Sequence, residues 1–334
     1  MAELIGASNL EPMVAAAVDC LTERGFDSLV VSSGRCINQE ISAWNTLARS
    51  HCDGIIVHSE ALSNEQLSRL ISTRKNVVLA NLDHKLSGEL AAKHLLEMGH
   101  KHIGFVAGPS EQYRAQQISE GFCQQINQVS SSKVKLQMLN MADDRCAGAQ
   151  AMRALLDSEN IPSAVFFSSD TMALSAMAEC RSKAIRVPAD ISILGCGDLD
   201  EASHPAVSLS TVHYPLTAIG RAAATRVMRM LNTPTDALPA EVEDDSQQPG
   251  LIMRKSIDDR SEGASTAEGF GSSISNRERE CLQWASQGKT SWETSQILGV
   301  TESTVIYHLR NATRKLNATN RVHAVAKALK ASII

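Results

Sequence analysis

The chain has 334 residues, 43% of them hydrophobic and 21% charged, with a net charge of −5. These proportions exclude a disordered or fibrous protein and leave room for two or three domains. No run approaches the roughly 18 apolar residues that a membrane span needs, and the segment before Pro12 lacks the basic start and apolar core of a leader, so the expected location is the cytoplasm, with no membrane contact. Eight cysteines with no CxxC spacing argue against structural zinc and against a disulfide framework.

Up to about residue 232, short apolar runs alternate with longer amphipathic ones, the pattern of parallel sheets covered by helices. A helix is predicted over 13–23, stopped at Gly25, and a strand over 28–31. Next come a helix over 37–48, a strand over 54–57, a helix over 65–71 and a strand over 77–80, which complete one half. The helix 86–98, stopped by Gly99, leads to the strand 103–106 of a second half. That half continues with helix 116–128, strand 136–141, helix 147–157, strand 164–167, helix 170–184 and strand 192–195, before the helix 216–231 and a closing strand 251–254. Two open α/β halves place a ligand cleft at the carboxyl ends of their strands.

Several strings in this region resemble the sensor core of the LacI/GalR family of sugar-responsive repressors, which has a periplasmic-binding-protein-like fold. They are Asp53-Gly54-Ile55-Ile56-Val57, His94-Leu95 with Gly99-His100 and Ile103-Gly104, Ser169-Asp170 with Met172-Ala173, Val187-Pro188 with Asp190 to Gly195, Leu209-Ser210-Thr211-Val212 and Met253-Arg254-Lys255-Ser256. The resemblance spans about residues 10–256 and implies a sugar or other small effector held by Asp83, Ser169, Asp170, Asp198 and Tyr214. Three polar positions depart from the family: Ile118 stands where an arginine is usual, Ser169 replaces an asparagine, and Gly197 replaces an acid. Arg114 and Gln117 are then the candidate substitutes. The first strand region, 1–12, reads as shortened, and a segment that carries a strand in the family is nearly missing between Asn81 and Asp83. In that family the DNA-reading helices precede the core, whereas here the core comes first.

Other polar groups carry no catalytic pattern. His94 ends a helix while His100 and His102 begin a strand, a poor arrangement for a shared metal. Asp198, Asp200 and Glu201 read as a solvated loop, and neither a nucleophile elbow nor a phosphate-binding glycine loop is present. The expectation is therefore no enzyme, no cofactor and no metal. Residues 232–249 read as an acidic surface loop, and 257–273, rich in Gly, Ser and acid, as a flexible linker between a 1–256 core and a 274–334 domain.

That last domain reads as four helices. Ser275 and Glu278 have the spacing of a capping box, and Gly288 ends the first helix. The second starts near Ser291 with Trp292, Ile297 and Leu298 expected inside, and Gly299 makes the tight turn of a helix-turn-helix. After Thr301, Val305, Leu309, Ala312 and Leu316 fall on one helix face, while Thr304, Tyr307, Arg310, Arg314 and Lys315 lie off it. A fourth helix begins after Thr319 or Asn320, with an apolar stripe of Val322, Val325, Ala326 and Leu329. From Ser275 to Ile334 there are nine Lys and Arg against four Asp and Glu, near +5, so the rest of the chain carries about −10. Such charge polarity fits a reader of double-stranded DNA tethered to a domain that does not meet phosphate.

Arg277-Glu278, Gly288-Lys289-Thr290, Ile297-Leu298, Glu302 with Thr304-Val305, His308, Lys315-Leu316-Asn317 and Asn320-Arg321 resemble the LuxR-type helix-turn-helix of bacterial regulators. Ile306 departs from it, standing where a polar or basic residue is usual. The resemblance implies base contacts from Thr304, Tyr307 and Arg310, phosphate contacts from Lys289, Arg314 and Lys315, and a homodimer packed through the fourth helix. The whole reads as a transcriptional regulator whose core senses a small effector. The rival reading is a solute-binding or protein-interaction protein that never meets DNA.

Overall fold

The computed structural model describes the chain apart from residues 1, 7–9, 34–35, 129–133, 233–247, 261–273, 275, 301, 317 and 332, and apart from the side chains of 2–6, 64, 276, 303, 304, 307, 311 and 314. The chain divides into two compact units. One is formed by Met1–Ser87, Gly108–Gly121 and Tyr214–Gly250, the other by Gly88–Ala107, Phe122–His213 and Leu251–Ile334.

In the first unit, β1 (Ala2–Gly6), β2 (Leu29–Ser33), β3 (Ile55–Val57) and β4 (Val77–Leu79) form a parallel sheet of order β2-β1-β3-β4. The stretch read as shortened thus still supplies an inner strand. The helices α1 (Glu11–Thr22), α2 (Ile37–Arg49) and α3 (Asn64–Ile71) follow the predicted order, and α3 opens on a capping box of Ser63 and Gln66. Leu21, Ile56 and Val78 share one core with Val227, and Trp44, Leu47 and Leu67 share another with Ile55. A β-carbon on Gly220 would come within 2.1 Å of the Met13 carbonyl oxygen, so only glycine allows this approach of backbones.

The boundary between the units falls within α4 (His84–Glu97) and α5 (Tyr113–Gln128). In the second unit β5 (His102–Ala107), β6 (Lys135–Asn140), β7 (Ala164–Phe167), β8 (Ser192–Cys196), β9 (Ser210–His213) and β10 (Gly250–Ile252) form a sheet of order β10-β9-β8-β7-β5-β6. Its pairings from β6 through β9 are parallel. Phe105, Phe122 and Phe166 stack at ring separations of 4.6 to 5.3 Å, and a wider core forms around Val165, Phe167 and Ile193. The strand β9 and the short α8 (Asp200–Ser203) went unpredicted because neither carries a periodic apolar signal. The helices α6 (Arg145–Leu156), α7 (Asp170–Ser182) and, in the first unit, α9 (Leu216–Asn232) lie where expected. The second unit also holds α10 (Asn276–Ser286), α11 (Ser291–Leu298), α12 (Glu302–Lys315) and α13 (Arg321–Lys330).

The linker does not begin at 257. Ile257 and Asp259 are both buried, and Arg260 donates its backbone N–H to the Met98 carbonyl at 2.7 Å. The rest of the predicted linker and most of the acidic loop lie outside the described residues.

Candidate functional site

The helix-turn-helix assembles from local signals. Thr290, not Ser291, caps α11: its hydroxyl accepts the Glu293 N–H at 3.1 Å while Glu293 accepts the Thr290 N–H at 2.9 Å. Gly299 then ends the helix in the left-handed conformation with φ 65°, which a side chain would resist. Val305, Leu309 and Ala312 pack inward with Cys281, Leu282, Ala324 and Ala328. Trp292 and Ile297, expected inside, are instead 60% and 45% exposed. Thr294 and Ser295 take the buried face of α11, where their short hydroxyls return to the carbonyls of Thr290 and Trp292 at 2.8 and 2.6 Å.

A groove of about 340 Å³ opens between these helices, floored by Leu309 and Thr313. Ser291 at the start of α11, Ile306 and Arg310 on α12, and Thr319, Asn320 and Arg321 at the start of α13 surround it. Two helix N-termini therefore adjoin one groove beside two guanidinium groups, and each terminus carries a partial positive charge. Asn320 accepts the His323 N–H at 2.9 Å and so caps α13, and Arg321 donates to the Lys289 carbonyl. Ile306 and Arg310 are exposed. Ser291, Thr319 and Arg321 were not among the predicted contacts; the Asn320-Arg321 match was the available signal.

The predicted DNA contacts divide. Arg310 lies on the open face, and Lys289 is half-exposed and pairs with Glu293 at 3.3 Å. Lys315 turns inward instead, its ammonium 2.9 Å from a Glu278 carboxylate that is fully buried. Glu278 is thereby an internal counter-ion. Ser275 of the predicted capping box, and the side chains of Thr304, Tyr307 and Arg314, lie outside the described residues.

On another side of α12, His308 meets the segment that leaves the core. Its Nδ1 is 3.5 Å from Asp259 Oδ2, with the side chains 2% and 3% exposed. Burial, followed by neighbouring imidazoles, pushes His94 down to about 3, and burial takes His100 and His308 to about 4. Glu97 moves the other way, raised by burial to about 7 against the opposing charges of Lys93 and Arg277. An imidazole with a depressed folded pKa takes up its proton readily only after unfolding, so its stabilisation is intact above about pH 6.5 and is lost as the pH falls towards 4. Glu97 and Asp170, raised by burial to about 7 and about 6, act oppositely, gaining stability as the pH falls towards 4, and offset only part of this. Thermal melts of the full chain between neutral pH and about pH 4 are expected to show a falling Tm; a flat or rising Tm would contradict the buried histidine cluster.

The predicted effector residues lie in both units. In the first, Asp83 is exposed and its Oδ1 accepts the Leu86 N–H at 2.8 Å, capping α4. Arg114 is ion-paired with Glu60 at 3.7 Å, and Tyr214 is buried with its hydroxyl 2.9 Å from His84 Nδ1 and 2.8 Å from Ser87 Oγ. Ile118 is buried in place of the family's arginine. In the second unit Ser169 and Asp170 are buried at the end of β7. Asp170 accepts the Thr211 hydroxyl at 2.6 Å and the Leu199 N–H at 2.9 Å, and a β-carbon on Gly195 would come within 2.1 Å of its Oδ1. Asp198 is no solvated loop residue: Arg254 reaches it at 2.6 Å and His213 at 3.0 Å. Although burial opposes ionisation, these two partners hold its carboxyl below the usual range.

Residues 92–257 match the family of periplasmic binding protein-like domains, and residues 272–328 match the luxR family of bacterial regulatory proteins. The HTH-type transcriptional repressor PurR of Proteus mirabilis is 26% identical over 278 residues, 77% of this chain and 79% of that protein. PurR of Haemophilus influenzae is 31% identical over 223 residues, 63% of this chain and 66% of that one. Among solved structures, the Escherichia coli transcriptional repressor ascG shares the fold with a TM-score of 0.65 at 21% identity, over 77% of this chain and 98% of its own. With the groove and its cations, these matches define a DNA-binding transcription regulator, not an enzyme. Specifically, the chain joins a LacI-family-like sensor core to a C-terminal LuxR-type helix-turn-helix domain. Among the described residues no helix is long and apolar enough to cross a membrane.

Proposed function

We propose that the protein acts in the cytoplasm as a homodimeric repressor whose 274–334 domain holds a DNA backbone phosphate in the groove between α11, α12 and α13. The observation that carries this is the meeting of two helix N-termini with Arg310 and Arg321 around one groove. Arg310, with Thr304 and Tyr307, then reads base edges, while Lys289, Arg314 and Arg321 face phosphates; Lys315, held by Glu278, leaves that set. Its replacement in the phosphate role by Arg321 is the main revision to the site. The full chain is expected to bind duplex DNA with affinity that falls steeply with salt, and residues 1–256 alone are not; a salt-independent shift, or equal binding by both, would refute the reading.

The dimer reading rests on α13. Val322 is 77% exposed and Leu329 54%, with Ala326 on the same exposed surface, whereas Ala324 and Ala328 face the domain core. A second copy would cover this stripe and place two recognition helices on a two-fold axis, as a palindromic site requires. Val322→Asp is expected to weaken self-association by tenfold or more and to weaken binding to a palindromic site with it, measured by sedimentation and anisotropy. Unchanged sedimentation would move the interface elsewhere.

The core is the sensor, and a small sugar-like effector is its ligand, with Arg114 and Tyr214 as contacts in the first unit. Asp83 and Asp170 are each occupied within their own unit, as a helix cap and as an internal acceptor. Such an effector regulates only if its affinity differs between two states, and the buried contact of Asp259 with His308 offers a route from the core to the recognition helix.

A further inference from the structure

The helix-turn-helix is docked on the core half with which it shares the second unit. The segment that follows β10 is pinned to that half. Ser256 Oγ donates to the Ile193 carbonyl at 2.5 Å, the Asp258 N–H to Ser192 Oγ at 2.9 Å, and the Arg260 N–H to the Met98 carbonyl at 2.7 Å. The Arg260 guanidinium adds the carbonyls of Ala189 and Asp190, both at 3.1 Å. Between these anchors, the carboxylate of Asp259 lies 3.5 Å from His308 Nδ1 on α12.

Polar groups surround that contact. His94, in the last turn of α4, and His100, two residues before β5, are buried, and His94 responds to Asp259 and to the imidazoles of His308 and His100. Arg277 of α10 acts on Glu97 of α4, and Lys315 of α12 acts on Asp258. Burial keeps all three imidazoles neutral near pH 7.

Such a junction is the weak plane of the unit. Imidazoles and carboxylates recover their hydration when they separate, so burying them against one another gains little. The apolar cores on either side, around Val165 and around Val305, would instead lose by exposure. The junction can therefore open while both sides stay folded. Its closure also leaves the working surfaces free, since Ile306 and Arg310 at the groove and Val322 and Leu329 on α13 are exposed. What closure fixes is the direction in which α12 stands on the core.

We propose that the junction of His308 with Asp259 and His94 is a latch: closed, it holds the two recognition helices of a dimer to one half-site spacing, and open, it frees them. The proposal rests on the reading of the protein as a dimeric DNA-binding regulator and adds what sets its spacing.

The test uses the full chain. In native-state hydrogen exchange, the Arg260 N–H is expected to exchange at least tenfold faster than the amides of β5 and of the α12 interior, through an opening that leaves both folded. Equal rates would mean that no separate opening exists and would overturn the latch. Asp259→Lys adds a cation beside the Arg277 and Lys315 charges that already face His308, whereas Asp259→Asn keeps the shape and adds none. In selection from random duplexes, the unaltered chain and Asp259→Asn are expected to enrich two half-sites at one spacing. Asp259→Lys is expected to enrich the same half-sites at several spacings, with calorimetry confirming that it is folded; if it is not, the exchange rates of the unaltered chain decide. A single spacing in folded Asp259→Lys, or loss of the half-site itself, overturns the latch and leaves the DNA reading standing. No enrichment by the unaltered chain, or enrichment of single half-sites only, removes the DNA or the dimer reading and the latch with it.

Discussion

Replacing Arg310 with alanine is expected to weaken DNA binding by about tenfold to a hundredfold, a loss of about 1–3 kcal/mol. The residue lies on α12 away from Val305, Leu309 and Ala312, which are buried, and it is exposed at the edge of the groove beside the start of α13. Among the described residues it has no acidic partner to compete with DNA. Arg310→Lys separates two roles. If the guanidinium reads a base through paired hydrogen bonds, lysine keeps binding to random duplex and loses preference for the specific site. If it only meets phosphate, lysine preserves both. Fluorescence anisotropy across a salt series decides the matter, because loss of one phosphate contact also flattens the salt slope by about one unit. Wild-type affinity and slope in Arg310→Ala would remove α12 from the interface.

Glu278→Ala is expected to destabilise the C-terminal domain by about 3–5 kcal/mol, the usual consequence of leaving one partner of a buried ion pair alone. Glu278 is fully buried and the Lys315 side chain is 14% exposed, so solvent screens neither well. Their contact ties the first turn of α10 to the last turn of α12, and with it the orientation of the recognition helix. Alanine at 278 removes the buried carboxylate 2.9 Å from the Lys315 ammonium. A paired change, Glu278→Leu with Lys315→Met, removes both charges and is expected to recover most of the loss, since apolar replacements of buried pairs are often neutral. Calorimetry of the full chain, read for the transition of this domain, checks both. Equal Tm values for Glu278→Ala and the unaltered chain would show that the pair contributes little.

These two residues mark the limits of reading the chain by pattern. Arg310 was legible because helical spacing alone puts it off the apolar face, and the caps around it are short-range chemistry written in adjacent residues. Glu278 was read from local spacing alone. Its spacing from Ser275 suits a capping box, and nothing local reveals that an ammonium from 37 residues away will approach it. Trp292 failed similarly: large apolar side chains are usually inside, yet close packing at α11 admits only the small Thr294 and Ser295.

By itself, the sequence determined the order of most helices and strands, the two α/β halves, the Gly299 turn and the charge polarity, because each depends on neighbours in the chain or on summed composition. Tertiary structure alone decided which cations face outward and why Asp83 and Asp170 are occupied within the protein. Those outcomes depend on which distant groups meet after burial, where the cost of an unpaired charge or lone pair selects partners that no local spacing encodes.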